Sequence, residues 1–219
     1  MPTETGRDGA RAPRSPLTER RKAETRRTIA RAACELFAER GAAGTTAEEI
    51  AAAAGVGLRT FYRYFRYKED AVEPVLAEGA NRWLDLVAAG PPGLPDAGAL
   101  EAVAVRALAP DDAEGVEAME RTGGLLRAAA GDPALEAVWA RVNLGAERRL
   151  AAALTGLAPD ADPLRIRTLA AGAATAIRVA IEQWSAAPDG PTHGPGSPSD
   201  LVTATMRTLT GGSPGTAGR

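Results

Sequence analysis

Apolar residues in this chain recur three and four positions apart, and nowhere alternate convincingly with period two. Ile29, Ala32, Ala33, Leu36 and Phe37 fall at offsets of 3, 4, 7 and 8, which is one stripe of an α-helix. The pattern predicts a first helix from near Leu17, with Thr18 as its N-cap, to the glycines Gly41 and Gly44. Thr46 followed by Glu49 is a capping box, so a short second helix begins there, turns Ile50 and Ala54 inward and breaks at Gly55. A third runs from about Gly57 through Phe65. A fourth spans about Lys68 to Ala88, with Val72, Val75, Leu76, Trp83 and Leu86 on its inner side, and ends at Gly90-Pro91-Pro92-Gly93. Further helical stretches fall at roughly 96–108, 112–129, 133–157, 163–186 and 199–210, punctuated by Pro110, Gly131-Asp132-Pro133 and the stretch from Pro159 to Pro163. The Gly/Pro-rich segment 188–199 reads as a long loop.

The fold class this predicts is all-α, with about nine helices. Helix, capped short helix, glycine turn and second short helix is the order of a helix-turn-helix with a supporting first helix. The expected division is a disordered N-terminal arm over 1–16, a helix-turn-helix domain over 17–67, a helical body over 68–211 and a disordered tail over 212–219.

Charge sharpens this picture. The net charge is −2, yet residues 1–72 hold 14 Arg/Lys against 10 Asp/Glu, while residues 73–219 hold 12 against 18. A basic first third joined to an acidic remainder suggests that the first third meets an anion such as DNA. One cysteine, Cys34, allows no disulfide within the chain and suits a reducing cytoplasm. His193 stands among Gly and Pro as a solvated loop residue. No glycine-rich phosphate loop, metal-ligand spacing or histidine placed as a base is present, so neither an enzyme, a metal nor a cofactor is expected. No run approaches the ~20 apolar residues of a membrane span, and the first residues lack the apolar core of a signal peptide.

The least ordinary stretch is GVGLRTFYRYFRYKED, residues 55–70. Five of the nine aromatic residues fall between Phe61 and Tyr67, interleaved with Arg63 and Arg66. On a helix, Phe61 and Phe65 share a face and can pack with Val56 against Ile50 and Phe37. Arg59, Thr60, Arg63 and in part Tyr62 and Tyr64 point elsewhere, to DNA or, for the tyrosines, against the fourth helix. Arginine, threonine and tyrosine in that position suit phosphate and base contacts. The helix is too short, and its apolar face too committed, for a membrane-surface role.

The run TTAEEIAAAAGVGLRTFYRYFRYKEDAV, Thr45 to Val72, closely resembles the DNA-binding domain of the TetR (tetracycline repressor) family of bacterial transcriptional regulators. The matching elements are the paired threonines, Ile50-Ala51, Ala54-Gly55-Val56, Thr60, Tyr62, Tyr64-Phe65 and Lys68-Glu69. The resemblance implies that Thr46 caps helix two and binds phosphate there. It also implies that Thr60 and Tyr62 touch backbone or bases, that Tyr64 and Lys68 meet phosphate, and that Leu58 and Arg59 occupy variable recognition positions. Arg59 is then the candidate for a guanine contact, with Arg63 beside it, and Leu58 meets a thymine methyl or faces solvent. Gly57 departs from the family's Ser or Thr cap. Arg7, Arg11 and Arg14 are candidates for a minor groove, or belong to an idle tail.

The resemblance further implies a cytoplasmic homodimer on a palindromic double-stranded DNA operator, released by a small-molecule effector, hydrophobic or acyl-CoA-like. A repressor is the expected role; the alternative is an architectural DNA-binding protein without a ligand. The expected dimer contacts are Leu169, Ala173, Ile177, Ala180, Ile181 and Trp184 on the penultimate helix and Leu201, Thr205, Met206 and Leu209 on the last, with core packing as the other reading. Trp83, Met119, Trp139 and Asn143 are the candidates for lining the effector site.

Overall fold

The computed structural model describes residues 16–187 and 190–209. The arm residues Arg7, Arg11 and Arg14, and the expected tail over 212–219, lie outside the described residues. Among those described there is no strand. Nine α-helices follow one another: α1 (Pro16–Arg40), α2 (Ala47–Ala53), α3 (Leu58–Tyr64), α4 (Glu73–Ala88), α5 (Ala97–Leu108), α6 (Ala113–Ala129), α7 (Pro133–Leu157), α8 (Pro163–Ala186) and α9 (Pro198–Leu209), with a 3₁₀ turn at Glu69–Val72 before α4.

Most boundaries follow from caps written in the sequence. Asp96, Asp112, Asp132 and Asp162 are N-caps whose carboxylates accept backbone N–H bonds from the first turns of α5, α6, α7 and α8. Pro133 and Pro163 open α7 and α8, where a missing N–H costs nothing. Thr18 lies inside the first turn of α1 rather than capping it, because the helix already includes Pro16, a residue suited to a helix start. The fourth helix begins five residues later than expected, since Glu69–Val72 winds as a tighter 3₁₀ turn. On α4 the buried positions are Val75, Leu76, Trp83, Leu84 and Val87; Leu86 is only half-buried.

The core is continuous from the N-terminal helices into the body. Ile29, Ala33 and Phe37 of α1, Ile50 of α2 and Phe61 of α3 pack with Val72, and α1 also packs on α4 and α6. In the body α4 lies on α7, α8 on α7 and α6, and α9 on α8 and α5. Gly124 of α6 faces Ala38 of α1, with room for a Cβ at 3.9 Å. Cys34 is buried on α1, and burial pushes its thiol up to about 12, so it stays protonated and inert at neutral pH. No described helix is long and apolar enough to cross a membrane.

Candidate nucleic-acid interface and ligand cleft

The helix-turn-helix is set by backbone chemistry at each end of α2. Thr46 Oγ1 accepts the Glu49 N–H at 3.2 Å, and Glu49 Oε2 accepts the Thr46 N–H at 2.8 Å, closing the capping box. The Thr46 hydroxyl also donates to Glu49 Oε2 at 3.0 Å, and Arg40 donates to Glu49 Oε1 at 3.2 Å. These bonds, the Thr46 N–H first, hold the Glu49 carboxyl below its usual range. The Thr46 hydroxyl proton is thus already committed within the helix. Its partner Thr45 is buried and donates to the Gly41 carbonyl at 3.0 Å.

The turn itself is a Schellman motif. The Val56 N–H reaches the Ala51 carbonyl and the Gly55 N–H reaches the Ala52 carbonyl. Gly55 has φ +65°, a left-handed conformation that a Cβ would strain. Gly57 then caps α3 with extended backbone and no side-chain bond, as its lack of a hydroxyl requires.

α3 divides into two faces. Phe61 and Phe65 are buried, with ring centroids 5.7 Å apart. Arg59, Tyr62 and Arg63 are exposed, Tyr62 by 54%, and Thr60 is half-buried beside them. Tyr62 stands edge-on to Phe61 at 5.4 Å. Leu58 and Tyr64 are half-buried against the core, with the Arg63 guanidinium 5.2 Å over the Tyr64 ring. Two exposed residues beyond the expected set extend this surface: Arg66 lies 5.3 Å over the Tyr67 ring. Their exposure follows from α3 ending at Tyr64, a boundary that the aromatic pattern blurs.

Lys68 is placed differently from the phosphate ligand expected of it. Its Nζ donates to the carbonyls of Ala42 at 2.6 Å and Thr45 at 2.7 Å, and lies 3.7 Å from Glu69 Oε1. It closes the turn between α1 and α2. Replacing it by methionine takes the ammonium from the carbonyl of buried Thr45 and leaves that of Ala42 only the Thr45 N–H at 3.2 Å, so Lys68→Met is expected to destabilise the protein by about 1–3 kcal/mol. A thermal unfolding midpoint equal to wild type would return the residue to a purely DNA-facing role.

The 3₁₀ turn is also tied to the body. Arg141 of α7 donates to Asp70 Oδ1 at 2.7 Å and lies 3.7 Å from Glu73 Oε2, while Asp70 Oδ2 accepts the Tyr67 N–H at 3.3 Å. A helix of the body thereby holds the segment that follows α3.

A cleft of about 840 Å³ opens between α6, α7 and α8. Leu126, Trp139 and Leu144 give it an apolar wall, and Arg127, Asn143, Arg178 and Glu182 give it polar groups. Trp139 Nε1 donates to Glu182 Oε1 at 2.7 Å, Arg178 donates to Glu182 Oε2 at 2.8 Å, and Asn143 Nδ2 donates to the Trp139 carbonyl at 2.8 Å. Two of the four expected lining residues, Trp139 and Asn143, are here. Trp83 is not: it is buried on α4, its indole N–H unpaired, and Met119 is half-buried away from the cleft. Arg127 and Arg178 carried no signal in the sequence, since only the packing of α6 on α8 brings them together.

The expected dimer contacts are largely core. Ala173, Ala180, Ile181, Trp184 and Met206 are buried within the subunit, because this stripe of α8 faces α5, α6 and α9. The Thr205 hydroxyl lies 3.0 Å from the Ala176 carbonyl. Leu169, Ile177 and Leu201 are half-buried and Leu209 is exposed. The outward face of α8 is a different stripe: Leu164, Thr168, Thr175, Val179 and Gln183 are exposed, and a Cβ at Gly172 would meet open space.

Residues 29–73 match the model of the bacterial regulatory proteins of the tetR family. That segment carries the TetR-family N-terminal domain. The chain has the fold of solved TetR-family regulators, an N-terminal helix-turn-helix domain on a helical C-terminal domain. A TetR-family transcriptional regulator from Rhodococcus sp. is 19% identical, covers 85% of this chain and 98% of its own, and superposes with a TM-score of 0.55. FadR of Thermus thermophilus, a TetR-family repressor in complex with lauroyl-CoA, is 26% identical over 86% of this chain and 94% of its own, with a TM-score of 0.50. The fatty acid degradation regulator FadR of Bacillus halodurans is 18% identical over 92% and 98%, with a TM-score of 0.52. No curated protein matches the sequence.

Proposed function

We propose that this protein is a TetR-family regulator, a homodimeric repressor that binds a palindromic operator through α3 and is released by a small molecule bound in the cleft between α6, α7 and α8. The observation that carries the reading is the outward face of α3. Arg59, Tyr62 and Arg63 are exposed on a helix whose other face is riveted by Phe61 and Phe65. A two-fold dimer would place two such helices on two half-sites. The outward stripe of α8, from Leu164 to Gln183, with Leu209 of α9, supplies the weakly polar surface for that pairing; a monomer by sedimentation at micromolar concentration would count against it.

The cleft joins an apolar wall, Leu126, Trp139 and Leu144, to charged groups of both signs, Arg127 and Arg178 with Glu136, Glu147 and Glu182. Arg178 is paired with Glu182, so the cleft suits an effector with an apolar chain and a polar head whose anionic group meets Arg127. The lauroyl-CoA complex of the Thermus thermophilus FadR supports the same class. An effector acts by preferring the state that cannot bind DNA. Arg141 links α7, which lines the cleft, to Asp70 behind α3, and so offers a route for that preference.

The test starts with a duplex selected from a random library by the full-length protein. Tyr62→Ala is expected to weaken binding to it about ten- to a hundredfold, the worth of a hydrogen bond to a charged group, with thermal stability unchanged. Wild-type affinity in this variant would remove α3's outward face from the interface. Failure of lauroyl-CoA to release the duplex would reject the acyl class of effector.

A further inference from the structure

We infer that the first half of α1 is a second DNA-contacting surface, one that neutralises phosphates of the duplex flanking the sequence read by α3. The inference rests on the proposed DNA-binding reading and adds to it a surface that the helix-turn-helix does not contain.

Charge distribution is the first ground. Residues 17–31 hold six cations, Arg20, Arg21, Lys22, Arg26, Arg27 and Arg31, against two carboxylates, Glu19 and Glu24. Residues 32–72, which complete the helix-turn-helix, hold five cations against six carboxylates. The whole basic surplus of the head therefore sits at the start of α1, and Lys68 is already engaged with the Ala42 and Thr45 carbonyls. Phosphate neutralisation supplies most of the affinity of a protein for duplex DNA. A helix-turn-helix with no net cation of its own needs those charges from a neighbour.

Exposure and placement are the second ground. Residues 17–24 are exposed on a helix that overhangs the core. The side chains of Arg20, Arg21 and Lys22 make no hydrogen bond or ion pair among the described residues, whereas Arg27 lies 3.8 Å from Glu24. The Arg26 guanidinium sits 5.6 Å over the ring of Phe65, the residue that caps the C-terminal end of α3. Lys22 lies one turn before Arg26 on the same side of α1. Arg66, exposed, follows Phe65. The basic face thus begins at the end of the recognition helix and continues away from it. Twelve residues, 17–28, carry it about 18 Å, the length of roughly five base pairs. These residues precede the matched family segment, which starts at residue 29.

The experiment compares full-length wild type with the triple variant Arg20→Gln/Arg21→Gln/Lys22→Gln on the duplex that wild type selects. The variant is expected to select the same sequence, to bind it at least about tenfold more weakly at moderate salt, and to show a slope of log K against log salt smaller by about 0.9 for each phosphate contact removed. Arg20→Lys/Arg21→Lys is expected to keep the wild-type slope, because a phosphate accepts either cation. Equal thermal midpoints establish that all forms are folded, and single Lys22→Gln should show a proportionate part of the loss. A triple variant with the wild-type slope overturns this inference and leaves the α3 reading intact. A wild type that selects no duplex overturns both.

Discussion

Phe61→Ala is expected to cost about 3–5 kcal/mol and to take DNA binding with it. The side chain is fully buried, with Tyr62 edge-on at 5.4 Å and Phe65 at 5.7 Å. α3 has seven residues, too few to be helical without tertiary packing, so its conformation depends on the anchors that Phe61 and Phe65 supply. The loss is a large share of a stability of about 5–15 kcal/mol. Urea or thermal unfolding reads it directly, and Phe61→Leu should recover most of it by refilling the site. The contrast with the adjacent Tyr62→Ala is the informative part. One residue apart, the first variant loses stability and binding together, and the second loses binding alone. A Phe61→Ala protein with the wild-type midpoint would show that the two-face description of α3 is mistaken.

What the sequence discloses depends on how local its cause is. α7 and α8 occupy the spans read from the chain, because an Asp N-cap and a proline at the first position mark each start within two residues. The capping box at Thr46 and Glu49 and the turn at Gly55 are equally local and equally plain. Long-range partners are not. Nothing near Lys68 says that its ammonium reaches back 26 residues to Ala42, or that Arg141 meets Asp70 from 71 residues away. The faces of α8 show a third case. Its buried stripe (Ile166, Ala170, Ala173, Ala176, Ala180, Trp184) and its outward one (Leu164, Thr168, Gly172, Thr175, Val179, Gln183) both consist mainly of small or weakly polar residues. Helical periodicity finds both stripes, but without the positions of α5, α6 and α9 it cannot say which is covered by the subunit's own core.

Trp184 decides that question by experiment. Its indole N–H donates to the Pro191 carbonyl at 3.0 Å, and its ring is held between two glycines. A Cβ on Gly123 of α6 would come within 2.8 Å of the ring, and one on Gly190 within 2.9 Å of Nε1. The residue therefore pins α8 to α6 and to the loop before α9, inside one subunit. Trp184→Ala is expected to cost about 3–5 kcal/mol, and Gly123→Ala about 1–3 kcal/mol by overpacking. Were Trp184 a dimer contact, its loss would lower the unfolding midpoint by an amount that grows with protein concentration and vanishes where the wild type is itself monomeric, since association is a mass-action term. As an intramolecular pin, it should lower the midpoint equally at every concentration. The two substitutions should also couple: with the ring removed, the methyl group at position 123 meets no obstacle, so Gly123→Ala should cost far less in the Trp184→Ala background than in wild type. Additive losses in that cycle would mean that the ring and the glycine do not touch, and would return Trp184 to the candidates for the surface between subunits.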